Sequence, residues 1–118
     1  MAEGPHQPGL PITTALEFPG WTIQQSLGLC FGLVVRSVGI AKGFTAGLTA
    51  LKRGEVHQYT ELLEDTRRHA LDRMIENARL MGANALVAVR FDSTEVGQGL
   101  TEILAYGTAV VVEGAGPR

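Results

Sequence analysis

The sequence predicts an α+β domain: a mainly antiparallel sheet packed by one long helix and a short Gly-rich helix. Three observations carry this. Tyr59 to Met81 has helical periodicity, and Leu27 to Val35 alternates with the period of a strand. Two further β patterns, Ala85 to Asp92 and Glu102 to Glu113, flank a Gly-containing loop.

The 118 residues suffice for one domain that buries roughly two thirds of its unfolded surface. Aromatic residues make up only 6% and there are 15 glycines, so the core should be Val, Leu and Ala with backbones in close approach. A net charge of −2 lacks the basic footprint that nucleic acid requires. Cys30 is the one cysteine, which rules out an internal disulfide and multi-cysteine zinc patterns. The opening residues lack the charged flank and apolar stretch of a signal peptide, so the cytoplasm is the expected location.

In chain order, Met1 to Pro11 carries three prolines and two glycines and reads as a disordered arm, with His6 solvated in it. Residues 12–113 form the single domain, and 114–118 are a tail. Ile12 to Leu16 is a short β-prone piece that ends at the Pro19-Gly20 turn signal. From Leu27 to Val35, large residues at Leu27, Leu29, Phe31, Leu33 and Val35 alternate with Gly28, Cys30, Gly32 and Val34. That pattern suits a strand with one packed face and one closely approached face, and Gly28 and Gly32 could equally mark bulges. Leu27 to Leu51 holds only Arg36 and Lys42 as charges. Gly, Ser and Thr interrupt it and both charges fall in mid-span, so it does not read as a membrane helix.

Ser37 to Leu51 is weakly helical. Ile40, Phe44, Leu48 and Leu51 make a ridge beside Gly39, Gly43 and Gly47, each of which costs about 1 kcal/mol relative to Ala in a helix interior. Lys52 to Gln58 is a connector. In the long helix that follows, Glu61, Glu64 and Asp65 lie early and Arg79 late, as the helix dipole prefers. Its apolar residues cover more than half the circumference, where a surface helix needs a stripe of about 100°. The excess implies a second apolar partner, expected to be another subunit. Arg67 and Asn77 fall inside that sector. Arg67 is read either as a structural anchor to carbonyls or a carboxylate, or as an anion- or ligand-binding group at a subunit boundary. Gly82 provides a left-handed helix stop, and Asn84 tolerates the turn that follows. Ser93 to Thr101, with Gly97 and Gly99, reads as a flexible hairpin loop before the last strand.

No catalytic constellation is visible. Cys30 sits in a strand without a diagnostic His partner and reads as a buried, inert thiol. His57 and His69 are too far apart for a two-His helical metal site. The many carboxylates alternate with arginines as on a solvated helix face.

Several short pieces nonetheless share an order and spacing. They are Thr13-Thr14, Gly20, Leu27-Gly28, Gly32, Gly54 with Tyr59, Arg67, Gly82-Ala83-Asn84-Ala85 and Gly107-Thr108-Ala109-Val110. Together they resemble the YbjQ family of small bacterial proteins, often labelled heavy-metal-binding, over Ile12 to Glu113. The resemblance implies a compact α+β fold assembled into homopentamers, singly or stacked in pairs, with no established reaction. One departure is Arg53-Gly54-Glu55-Val56, where members resemble Gly-Gly-Arg-Ser. Glu55 then stands in place of an Arg, and an anion site built on that Arg does not carry over.

The leading expectation is a non-enzymatic, ring-forming protein that binds a small ligand or ion at subunit boundaries, with Arg67, Asn77 and Tyr59 as its candidates. The alternatives are an enzyme whose site is assembled between subunits, and a metal-binding protein using Cys30, His57 and His69. No cofactor is established, and a divalent metal ion is the candidate.

Overall fold

The computed structural model describes residues 10–37, 57–97 and 99–114. Strand β1 is Trp21–Ser37, helix α1 is His57–Met81, β2 is Ala85–Gly97 and β3 is Leu100–Gly114. The sheet has three strands in the order β1-β3-β2, and β3 runs antiparallel to both neighbours. β1 and β2 are thus parallel and joined through α1, a βαβ unit split by the last strand of the chain.

Successive side chains of β3 point to opposite faces. On the inner face, Ile103, Ala105 and Ala109 join Cys30, Leu86 and Val89 beneath Ala70, Met74, Ile75 and Ala78 of α1. On the outer face, Val110 and Val112 join Ala85 and Val87 beneath Phe18 and Trp21. Phe18 and Trp21 stack with ring centroids 5.3 Å apart.

The alternation in β1 has a direct cause. A Cβ on Gly32 would collide with the Ala70 carbonyl oxygen and the Met74 nitrogen, so α1 rests on the bare backbone of β1. Gly28 does the other job foreseen for these glycines: it sits at a register shift with φ +105°. α1 ends in a Schellman motif, with Gly82 at φ +92°. The Ala83 N–H donates to the Ala78 carbonyl at 3.0 Å, and the Gly82 N–H donates to the Arg79 carbonyl at 2.9 Å.

Residues 11–15 run parallel to the outer edge of β2, as the β-prone reading of Ile12 to Leu16 anticipates. Thr13 donates to the Leu86 carbonyl and Leu86 donates to the Pro11 carbonyl, each at 3.0 Å. Leu10, which the sequence assigns with Pro11 to the arm, is buried in the inner core.

Other boundaries also move. The flexible loop expected over Ser93 to Thr101 is mostly strand, since β2 continues to Gly97 and β3 begins at Leu100. α1 begins at His57, so no acidic residue lies in its first turn and Glu61, Glu64 and Asp65 sit further in. The weak helix expected over Ser37 to Leu51 lies outside the described residues, except for Ser37, which ends β1. No helix among the described residues is long and apolar enough to cross a membrane.

Candidate functional site

α1 crosses the sheet mainly over β1 and β3, which leaves the inner side of β2 partly open beyond Val89. A bulge between Val87 and Arg90 resets the pleat there, so that Phe91 follows Val89 onto the inner face. Phe91 remains about one third exposed, and the Arg67 guanidinium carbon lies 5.5 Å from its ring centroid. Glu64, Arg67, Arg68, Leu71 and Phe91 line a groove of about 260 Å³ between α1 and β2.

An exposed cation–π contact of this kind is worth about 0.5–1 kcal/mol. It engages the face of the guanidinium and leaves its in-plane N–H donors available to a carboxylate or phosphate. Arg67 is exposed, in contrast to the burial its helical-wheel position suggests. The buried stripe of α1 is narrow, running through Thr66, Ala70, Met74, Ile75 and Ala78. Thr66 satisfies its hydroxyl by donating to the Leu62 carbonyl at 2.8 Å.

Asn77 is exposed on the opposite flank of α1. Its Nδ2 donates to the Phe31 carbonyl of β1 at 2.8 Å, and Arg73 and Glu76 line a small hollow beside it. The structure therefore places Arg67 towards β2 and Asn77 towards β1, on different edges of the sheet. His57 and Tyr59 lie in the first turns of α1, and their side chains lie outside the described residues.

Of the metal candidates, Cys30 and His69 each have a hydrogen-bond partner. Cys30 is buried and its thiol donates to the Met74 carbonyl at 3.3 Å. Burial pushes its pKa above the ordinary thiol value. His69 is exposed, and its Nδ1 lies 2.7 Å from Arg36, which also reaches Asp65 at 3.6 Å. An arginine always donates, so Nδ1 is the acceptor in this contact. Among the described residues, no three His, Cys, Asp or Glu side chains gather where a metal could sit.

The outer face holds a feature that sequence reasoning missed. The alternation predicts a packed face for the large residues of β1, yet Leu29 is 67% exposed, Phe31 50% and Val35 53%. Phe18 and Trp21 reach only the part of this face near Val110 and Val112. Beyond them, Leu29, Phe31, Leu33, Leu104 and Tyr106 floor an open depression of about 490 Å³, with Asp92 and Glu102 at its rim. Alternation alone could not reveal this, because it identifies two faces without showing how far either is covered.

Comparison with known proteins fits the fold. A family model described as "Putative heavy-metal-binding" matches residues 10–113. This chain belongs to the YbjQ family. A UPF0145 protein of Bradyrhizobium sp. (strain ORS 278) is 51% identical over 109 residues, covering 92% of this chain and 98% of that protein. Another, from Methanoregula boonei, is 56% identical over 95 residues, covering 80% of this chain and 79% of its own. A crystal structure from Pediococcus pentosaceus, of a protein of unknown function in the DUF74 family, superposes with a TM-score of 0.57 at 15% identity. It covers 89% of this chain and 99% of that one. The names of these relatives assign no reaction.

Proposed function

We propose that this YbjQ-family chain is a cytoplasmic, non-enzymatic protein that assembles into rings and binds a small anionic ligand at the boundaries between subunits. The observation that carries the binding role is Arg67, held on the Phe91 ring at the mouth of a groove. Among the described residues no carboxylate pairs with it, so its hydrogen-bonding edge is open to a ligand. Leu80 and Met81 on the same helix are exposed, as is the far half of the outer sheet face. Apolar surfaces of this kind favour assembly over a lone chain. Residues from a neighbouring subunit would complete the groove, which by itself is shallow.

Light scattering on a sizing column tests the assembly: the mass should be a multiple of the 12.6 kDa chain, and a monomer at micromolar concentration refutes it. Calorimetric titration with inorganic phosphate, and with citrate as a carboxylate probe, tests the site. Binding should vanish in Arg67→Ala while the assembly persists. An unchanged affinity removes Arg67 from the role.

The family description supports metal binding as a second reading, with Cys30, His57 and His69 as ligands. The hydrogen bonds of Cys30 and His69 would have to be exchanged for the ion. Titration with zinc, copper and nickel tests it, and no binding tighter than about millimolar, near 4 kcal/mol, would remove it.

A further inference from the structure

The open depression on the outer face has a charge pattern as well as a shape. Rows of paired residues cross the sheet there from β1 through β3 to β2. One row is Phe31, Tyr106 and Arg90, and the next is Leu33, Leu104 and Asp92. A step further along, Glu102 lies between Val35 and Thr94. Residues two apart on a strand share a face. Asp92 and Glu102 are therefore diagonal neighbours, about 7–8 Å apart, beside an apolar floor. Arg90 is the one cation in these rows, and its Nη1 is engaged elsewhere, donating to the Thr14 and Val89 carbonyls at 2.9 Å each. Among the described residues neither Asp92 nor Glu102 has an ion-pair partner.

We propose that this depression binds a small amphiphilic cation, a primary amine carried on an apolar chain or ring. Its volume of about 490 Å³ falls within the range of roughly 300–1,000 Å³ usual for small-molecule pockets. Leu29, Leu33 and Leu104 supply apolar surface for the body of the guest. Phe31 and Tyr106, partners across β1 and β3, bring two aromatic rings to the same floor, and such rings attract a cation over their faces. An ammonium placed between Asp92 and Glu102 turns a like-charge repulsion into two attractions. A neutral guest of the same shape gains only the floor. The site is distinct from the Arg67 groove, which lies on the other face of the sheet and has the opposite charge preference. It requires only that the assembled protein leave the depression open.

The test is calorimetric titration of the full chain, in its native assembly, with 2-phenylethylamine and with its neutral counterpart 2-phenylethanol. The amine should bind at least about tenfold more tightly than the alcohol at low salt, since only the amine meets the two carboxylates. In the double variant Asp92→Asn with Glu102→Gln, the amine should fall to the affinity of the alcohol. Equal affinities in the wild type overturn the proposal, as does a preference for the amine that survives the double variant. A wild type that binds neither probe also overturns it, because a neighbouring subunit or the chain's own residues then cover the depression. Where circular dichroism shows that the double variant has lost its fold, Asp92→Asn alone replaces it, because Asp92 is exposed. That variant should weaken the amine at least threefold and leave the alcohol unchanged, and an undiminished amine affinity overturns the proposal. None of these outcomes touches the Arg67 reading, which stands or falls on the titrations with phosphate and citrate.

Discussion

Asn84 and Val112 exchange a matched pair of hydrogen bonds: the Asn84 side-chain amide donates to the Val112 carbonyl at 3.0 Å, and the Val112 N–H donates to Asn84 Oδ1 at 2.8 Å. The Asn84 backbone N–H adds a bond to the Val110 carbonyl at 3.0 Å. A side chain thus stands in for one more residue of strand pairing, just after the Schellman stop and just before β2. Asn84→Ala leaves the Val112 groups unpartnered and should cost about 1–3 kcal/mol in urea unfolding. Asn84→Asp should cost more at neutral pH than at pH 3, because an ionised carboxylate faces the Val112 carbonyl.

Two glycines of β1 should respond differently to alanine. At Gly32 the new methyl meets helix backbone, which cannot rotate away, so Gly32→Ala should lose at least 1–3 kcal/mol, the usual range for overpacking. At Gly28 there is open space but φ is +105°, so Gly28→Ala should be strained without clashing, at about 1–2 kcal/mol. Displacement of α1 should follow only the first substitution, read as amide shift changes along Ala70 to Met74.

Ala88 adopts φ +56° at the bulge in β2, the one non-glycine residue with positive φ among those described, and its N–H donates to the Ala15 carbonyl at 2.8 Å. Ala88→Gly relieves that conformation and keeps the hydrogen bond. It should be neutral or stabilising by up to about 1 kcal/mol in thermal unfolding, the reverse of the usual Gly penalty in a strand.

Cys30 should resist alkylation by iodoacetamide at pH 8 in the folded chain and react at once in denaturant. Its pKa is raised by burial, so the folded state holds the thiol proton more tightly than the unfolded state does. The resulting stability is complete below the unfolded thiol pKa of about 8.5 and is lost as pH rises through the folded value. Unfolding free energy should therefore fall above about pH 8.5. Cys30→Ala should flatten that part of the profile.

The long helix and all three strands were legible because each buries a periodic set of residues. The extension of β2 was not, since Asp92, Ser93, Thr94 and Glu95 are exposed and polar on both faces, leaving no alternation to read. The helical wheel erred on Arg67 for a related reason. It weights all apolar residues equally, whereas close packing on Gly32 selects the small ones, Ala70 and Ala78, together with Met74. Leu80, which widened the apparent apolar sector, is 77% exposed. The Phe91 partner of Arg67 could not be inferred at all. It depends on the bulge at Ala88, where a residue with no turn signature takes a left-handed conformation.

The strand order has a consequence for how the chain comes into being. β3 is the central strand and follows both of its neighbours in the sequence, and β1 and β2 hydrogen-bond to it rather than to each other. A nascent chain that has emerged only as far as β2 can pair β2 with residues 11–15 alone, and the Leu- and Val-rich strand β1 lacks its partner. The three-stranded sheet closes only once β3 pairs with both neighbours. Loss of even a few residues at its Val110 to Val112 end would therefore remove strand pairing from both sides together.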